Sequence, residues 1–279
     1  MGKGRVKRQQ VATDDGWTVI THGLSNVSLN EKEKDSKSKS KSIVSGLTSE
    51  KLLSEFQLLQ ERWEDTLLAQ QIDEIFCKGR RDDVQQAVCI GIGSFSRDWA
   101  HRWRSLWQLV LFVDVVAKSA SNEQATSIPC YASDPAFTPL DTSFLSLLHI
   151  TTLPSSPSSS PDLASKISPT TFVYSPFVDW FLLLPTFLKD KDPRVYVGNE
   201  ILSDYSVFAQ TKEKREMLGV CNEVGRRWLE GRRVVRLREF ERHGNALGGL
   251  VVYLREGGVG EEEGAGEVKE EEEEEEKSN

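Results

Sequence analysis

Short apolar runs alternating with helical patterns constrain this chain more than any other feature. Ala87-Val88-Cys89-Ile90, residues 128–133, 150–153, 171–174 and Val195-Tyr196-Val197 have the length and composition of strands buried on both faces. Helical sequence follows four of them: residues 106–117, a stretch through Phe144, Leu145 and Leu148, residues 177–188, and a polar segment reaching about Leu229. A Ser/Pro run at 154–161 reads as a surface loop. Residues 234–240 and 250–254 read as two last strands joined through His243-Gly244-Asn245. With no helix between them, that pair is expected to run antiparallel. The pattern predicts an α/β fold: a three-layer Rossmann-like domain whose mainly parallel sheet ends in an antiparallel strand pair.

Local signals sharpen individual elements. Leu52, Phe56, Leu59, Trp63 and Leu67 recur every three or four residues, predicting one helix from about Thr48 that stops at Lys78-Gly79. In Thr138-Pro139-Leu140-Asp141 the threonine is a cap, the proline suits the first helical position, and Asp141 stands where a capping box needs an acceptor.

Charge and composition divide the chain. Hydrophobic residues make up 38%, low enough to expect unpacked segments. Residues 256–279 hold twelve Glu against two Lys, a net of −10, whereas residues 1–50 carry a net of +3. Since the total is −8, residues 51–255 sum to about −1, and the acidity belongs to the tail. The expected organisation is a disordered N-terminal region at 1–47, an α/β domain at 48–255 and a disordered acidic tail at 256–279. One apolar island, Gly16-Trp17-Thr18-Val19-Ile20, interrupts the first region as a stray patch, an edge strand or a docking peptide.

Several function classes are disfavoured. Cys77, Cys89, Cys130 and Cys221 show no metal or redox spacing, and His22, His101, His149 and His243 have no acid or Cys at ligand spacing. The most apolar helical stretch, 106–117, is too short to span a bilayer. No secretory signal is recognisable, so the expected compartments are cytoplasm and nucleus. Arg226, Arg227, Arg232, Arg233, Arg236 and Arg238 cluster around Trp228, but Glu230 and Glu239 dilute them. Nucleic-acid binding through Arg226, Arg227, Arg232 and Arg233 is therefore a weaker reading than a solvated face or a dock for the acidic tail.

Val88-Cys89-Ile90-Gly91-Ile92-Gly93-Ser94-Phe95-Ser96 is the most informative stretch. Two glycines at a strand end admit a phosphate or sugar to the backbone beside a helix N-terminus, although a dinucleotide fingerprint would need a third. The bland alternative is a tight turn without a ligand. This stretch, with Gln108-Leu109, Asp134-Pro135-Ala136-Phe137-Thr138, Tyr174-Ser175-Pro176, Gly198-Asn199-Glu200 and Trp17-Thr18-Val19-Ile20, resembles the sensitivity-to-red-light-reduced family. The resemblance is closest over residues 85–202. It implies a regulatory protein acting through protein partners, tied in plants to light signalling and circadian timing, with no established reaction. Many members carry Pro-His-Cys where this chain has Pro176-Phe177-Val178, so no role of that His and Cys transfers here.

The layout also resembles class I methyltransferases. That likeness implies a nucleotide or S-adenosylmethionine cofactor, with Asp134 on the ribose hydroxyls and Ser175-Pro176-Phe177 lining a substrate pocket. The acid such enzymes carry before the first glycine is replaced by Cys89 and Ile90. The candidate cofactor-binding set is thus Gly91, Gly93, Ser94, Asp134, Ser175 and Asn199. For Asp134, an Asp-Pro helix-entry turn is an equal reading.

Overall fold

The computed structural model describes residues 9–12, 18–21, 43–76, 84–97, 99–119, 128–154, 163–208 and 212–256. The run 31–42, Lys78-Gly79, most of the 154–161 loop and the acidic tail beyond Glu256 lie outside the described residues. The chain divides into two units, residues 1–40 and 41–279. In the first, β1 (Gln9–Ala12) pairs antiparallel with β2 (Thr18–Thr21), Gln10 opposite Ile20. Val19 and Ile20 of the apolar island therefore sit in a strand.

The second unit opens with two helices where the periodicity predicts one. α1 (Ser49–Glu64) buries Leu52, Phe56, Leu59 and Trp63, and α2 (Leu67–Phe76) buries Leu68, Ile72, Ile75 and Phe76. Thr66 makes the break. Its hydroxyl donates to the Trp63 carbonyl at 2.8 Å and accepts from Ala69 N at 3.1 Å, closing one helix and capping the next. The new helix axis turns Leu67 outward, so it is exposed rather than part of the apolar face.

The remaining elements are β3 (Gln86–Ile90), α3 (Trp99–Ser119), β4 (Cys130–Ser133), α4 (Pro139–Leu147), β5 (Ile150–Thr152), β6 (Thr171–Ser175), α5 (Trp180–Leu182), β7 (Val195–Asn199), α6 (Lys212–Leu229), β8 (Arg232–Arg236) and β9 (Leu250–Arg255). The expected helix at 177–188 starts only at Trp180 and widens into a π-helix over Leu183–Leu188. Pro185 is the reason: it has no N–H to donate, and the wider turn carries the chain past it, with Lys189 N bonding the Leu184 carbonyl at 2.8 Å.

The sheet order is β5-β4-β3-β6-β7-β9-β8. β5, β4, β3, β6 and β7 run parallel, and β9 lies antiparallel to both β7 and β8. The terminal pair is antiparallel, as expected, but its second strand inserts between β7 and the first. One core packs α1 to α4 against Ala87, Cys89, Phe172, Tyr174, Val195 and Val197. The opposite face carries Tyr196 and Tyr253, which meet Trp228 of α6 edge to face at 5.3 Å each. The result is a three-layer Rossmann-like α/β fold. Connections change direction between β3 and β6, and in open α/β sheets ligands favour the carboxyl edge at such a point.

Candidate functional site

Four of the six candidate residues come together around the carboxyl ends of β3 and β4. Gly91 (φ 72°) and Gly93 (φ 81°) adopt the left-handed conformation, which lets the chain leave the central strand in one tight turn. Gly93 N donates to Asp134 Oδ2 at 2.7 Å, and Ala136 N donates to Asp134 Oδ1 at 2.7 Å. The carboxylate thus ties the glycine turn of β3 to its own Asp-Pro turn after β4. Burial pushes its pKa above the ordinary value; the two N–H bonds and the nearby Arg97 oppose the shift, and Asp141 adds to it.

That direction sets a pH dependence. In the window above the ordinary carboxyl pKa of about 3.9, the folded state keeps the Asp134 proton while the unfolded chain has lost it. Fewer protons on the unfolded chain mean that stability falls as pH rises through this window. Asp134→Asn should remove that slope from denaturant titrations run across the weakly acidic range. An unchanged slope would assign it to other carboxyls.

Ser94 points into the protein. Its hydroxyl donates to Asp141 Oδ2 at 2.7 Å, Phe95 N donates to Asp141 Oδ1 at 2.9 Å, and Thr138 N donates to Asp141 Oδ2 at 2.8 Å. The capping box at Thr138 forms as its residues predict. Its aspartate does a second task that local sequence does not reveal, clamping the loop after β3 onto the start of α4. Phe95 is buried there against Phe137 at 6.1 Å and Phe144 at 5.2 Å.

Ser175 and Asn199 lie farther along the same edge, at the ends of β6 and β7. Ser175 is fully buried, its hydroxyl on the face that carries Tyr196. Asn199 lines a separate cavity of about 140 Å³ with Val178, Trp180, Glu200, Tyr205 and Phe208. Trp180 stacks on Tyr205 in its wall at 4.9 Å.

Two arginines that sequence reasoning passed over complete the β3–β6 edge. Arg104 of α3 holds its guanidinium 5.6 Å above the Phe177 ring, which follows β6. It therefore reaches across the point where the sheet changes direction. Arg97 leads into the same helix, close enough to Asp134 to favour its charged form. The legible signal was a concentration of basic residues at the start of a helix, where the macrodipole favours acids.

The arginine cluster behaves differently. Arg232 is buried: it stacks on Trp228 at 3.8 Å, donates to the carbonyls of Trp228 and Pro193 at 2.9 Å each, and pairs with Asp192. Its role is structural, and burial lowers its pKa to about 10. Arg226, Arg227 and Arg233 remain exposed. A cavity of about 340 Å³ opens beside Arg232, between Leu188, Val224 and Trp228. Among the described residues no group of His, Cys, Asp or Glu could hold a metal ion. Nor is any described helix long and apolar enough to cross a membrane.

A glycine turn leaving the central strand of such a sheet defines a Rossmann-like α/β protein with its candidate site at the carboxyl edge. The SRR1 domain matches residues 54–254, which include every candidate site residue. The chain belongs to the SRR1 domain family. No curated protein matches it significantly. Among solved structures it is similar to a protein from Corynebacterium glutamicum, at 14% identity over 74% of this chain and 90% of that one, with a TM-score of 0.40. It is also similar to an O-methyltransferase from Bacillus cereus in complex with SAH, at 11% identity over the same shares, with a TM-score of 0.36.

Proposed function

We propose that this SRR1-domain protein is regulatory and works through protein partners rather than by transferring a group to a substrate. The Asp134 carboxylate carries the reading. The layout would give it to a ribose, yet both of its oxygens accept backbone N–H groups at 2.7 Å. A ribose here would compete with these N–H groups for the carboxylate, and the positive charge of Arg97 and Arg104 near Asp134 disfavours a sulfonium ligand. Exposed apolar side chains on the α6 side of the sheet support the partner reading: Val207, 79% exposed on a turn packed against α6, Phe208 beside it, and Met217 and Val220 on α6 itself. Exposed apolar groups of this kind favour protein contact.

Thermal denaturation with and without S-adenosylmethionine tests the reading. A bound cofactor at 100 times its dissociation constant would add about 2.7 kcal/mol. The expected result is no shift for the wild type. Asp134→Ala should still lower the ligand-free melting temperature by about 4–8 °C, because orphaning two N–H groups costs about 2 kcal/mol. A cofactor-dependent rise that Asp134→Ala abolishes would sink the proposal and restore the methyltransferase alternative.

A further inference from the structure

Residues 97–104 contain Arg97, Arg102 and Arg104, with Asp98 their only acid. Arg102 shows what the fold does with a buried guanidinium that it means to keep quiet: 2% exposed, it lies 3.3 Å from Glu55 of α1. Arg97 and Arg104 are treated otherwise. Unlike Arg102, neither lies within ion-pair distance of a carboxylate among the described residues, and each has its Nε buried with no hydrogen-bond partner there. Asp134 is close enough to both to interact electrostatically, but backbone N–H groups already occupy its two oxygens. A half-buried guanidinium loses hydration and needs an acceptor in exchange. Burial accordingly pulls the Arg104 pKa down.

The floor beside these arginines is built from small groups. The Ser105 hydroxyl is fully buried and unpartnered, and a Cβ on Gly93 would come within 3.0 Å of it. Backbone thus approaches α3 closely at the point where the sheet changes direction. Phe177, exposed under the Arg104 fork, adds an aromatic wall.

We infer that a phosphate-bearing small molecule binds at the carboxyl edge between β3 and β6, its oxygens taken by the Arg97 and Arg104 guanidiniums above the Gly91-Ile92-Gly93 turn. Planar guanidinium forks match phosphate oxygens two at a time, supplying the acceptors that both side chains lack. The anion would also face the N-terminal end of α3, a 21-residue helix whose dipole favours negative charge there. This adds a small-molecule site to the partner reading and does not depend on it.

The test uses the full chain with inorganic pyrophosphate, ADP, adenosine and S-adenosylmethionine as probes. Saturating pyrophosphate or ADP should raise the melting temperature by about 5–10 °C, and adenosine and S-adenosylmethionine should leave it unchanged. A response to ADP alone would mean that the base adds a contact, with Phe177 the ring available. By isothermal titration, Arg104→Gln and Arg97→Gln should each weaken binding at least tenfold, and Arg104→Lys should recover only part of it because a point charge replaces the fork. Without ligand, Arg97→Gln should melt within about 2 °C of wild type and Arg104→Gln within about 4 °C, since the latter gives up its contact with the Phe177 ring. No shift with either phosphate compound, or binding unaffected by both substitutions, would overturn the assignment and leave the partner reading standing. A stabilisation by S-adenosylmethionine would overturn that reading instead.

Discussion

Asp141→Ala is expected to destabilise the domain by about 4 kcal/mol, lowering its melting temperature by about 8–16 °C. The side chain is fully buried and accepts from Ser94 Oγ, Phe95 N and Thr138 N, all within 2.9 Å. Alanine would leave three buried donors unpaired, at about 1–3 kcal/mol each before local relaxation. Thr138→Ala is the informative control. It removes the N-cap acceptor and the 2.8 Å partner of the buried Ser96 hydroxyl but leaves the clamp on Ser94 and Phe95, so it should cost about 2 kcal/mol. Chemical denaturation of both variants separates the roles. Equal losses would mean that Asp141 is a capping residue and no more, and that the loop after β3 holds its place without it.

Gly198→Ala should be at least as damaging, again at about 4 kcal/mol, beyond the 1–3 kcal/mol usual for overpacking. A Cβ at this position would collide with the Ser175 carbonyl oxygen and with the Tyr196 ring and hydroxyl. A flexible side-chain tip could move away, but the Ser175 carbonyl belongs to β6, which is hydrogen-bonded to β7 in register through Ser175 and Gly198. On the other side β9 places Val251 opposite Gly198, so β7 cannot retreat. Relief requires separating the carboxyl ends of β6 and β7, the edge that carries Ser175 and Asn199. Protection of amides along β6 and β7 by hydrogen exchange should fall together in this variant. A melting temperature within about 2 °C of wild type would show that the ladder is looser than these contacts imply.

Elements whose causes lie within a few residues were legible in the sequence. Apolar runs of buried-strand length became β3 to β7 and β9, and the Gly91-Ile92-Gly93 turn leaves the central strand as its residues require. Boundaries moved where one residue acted against the periodicity: Thr66 split a helix in two, and Pro185 widened another into a π-turn. The six candidate residues lie at or just beyond the carboxyl ends of β3, β4, β6 and β7, but the sequence could not say which way each side chain turns there.

What the sequence by itself determined is therefore local: strand and helix periodicity, the Thr138 cap, the glycines that permit positive φ, and the charge imbalance of the termini. Tertiary structure alone decided the rest. It inserted β9 between β7 and β8, carried the Asp134 carboxylate to an amide 41 residues away, and brought Asp141 to the Phe95 amide across 46. It buried Arg232 against Trp228 while leaving Arg97 and Arg104 half-buried with no acceptor among the described residues. Propensity and capping act over one turn of chain, so their outcome is written in neighbouring residues. The task of a buried polar side chain depends on which donors packing brings within about 3 Å, and that follows from the fold as a whole.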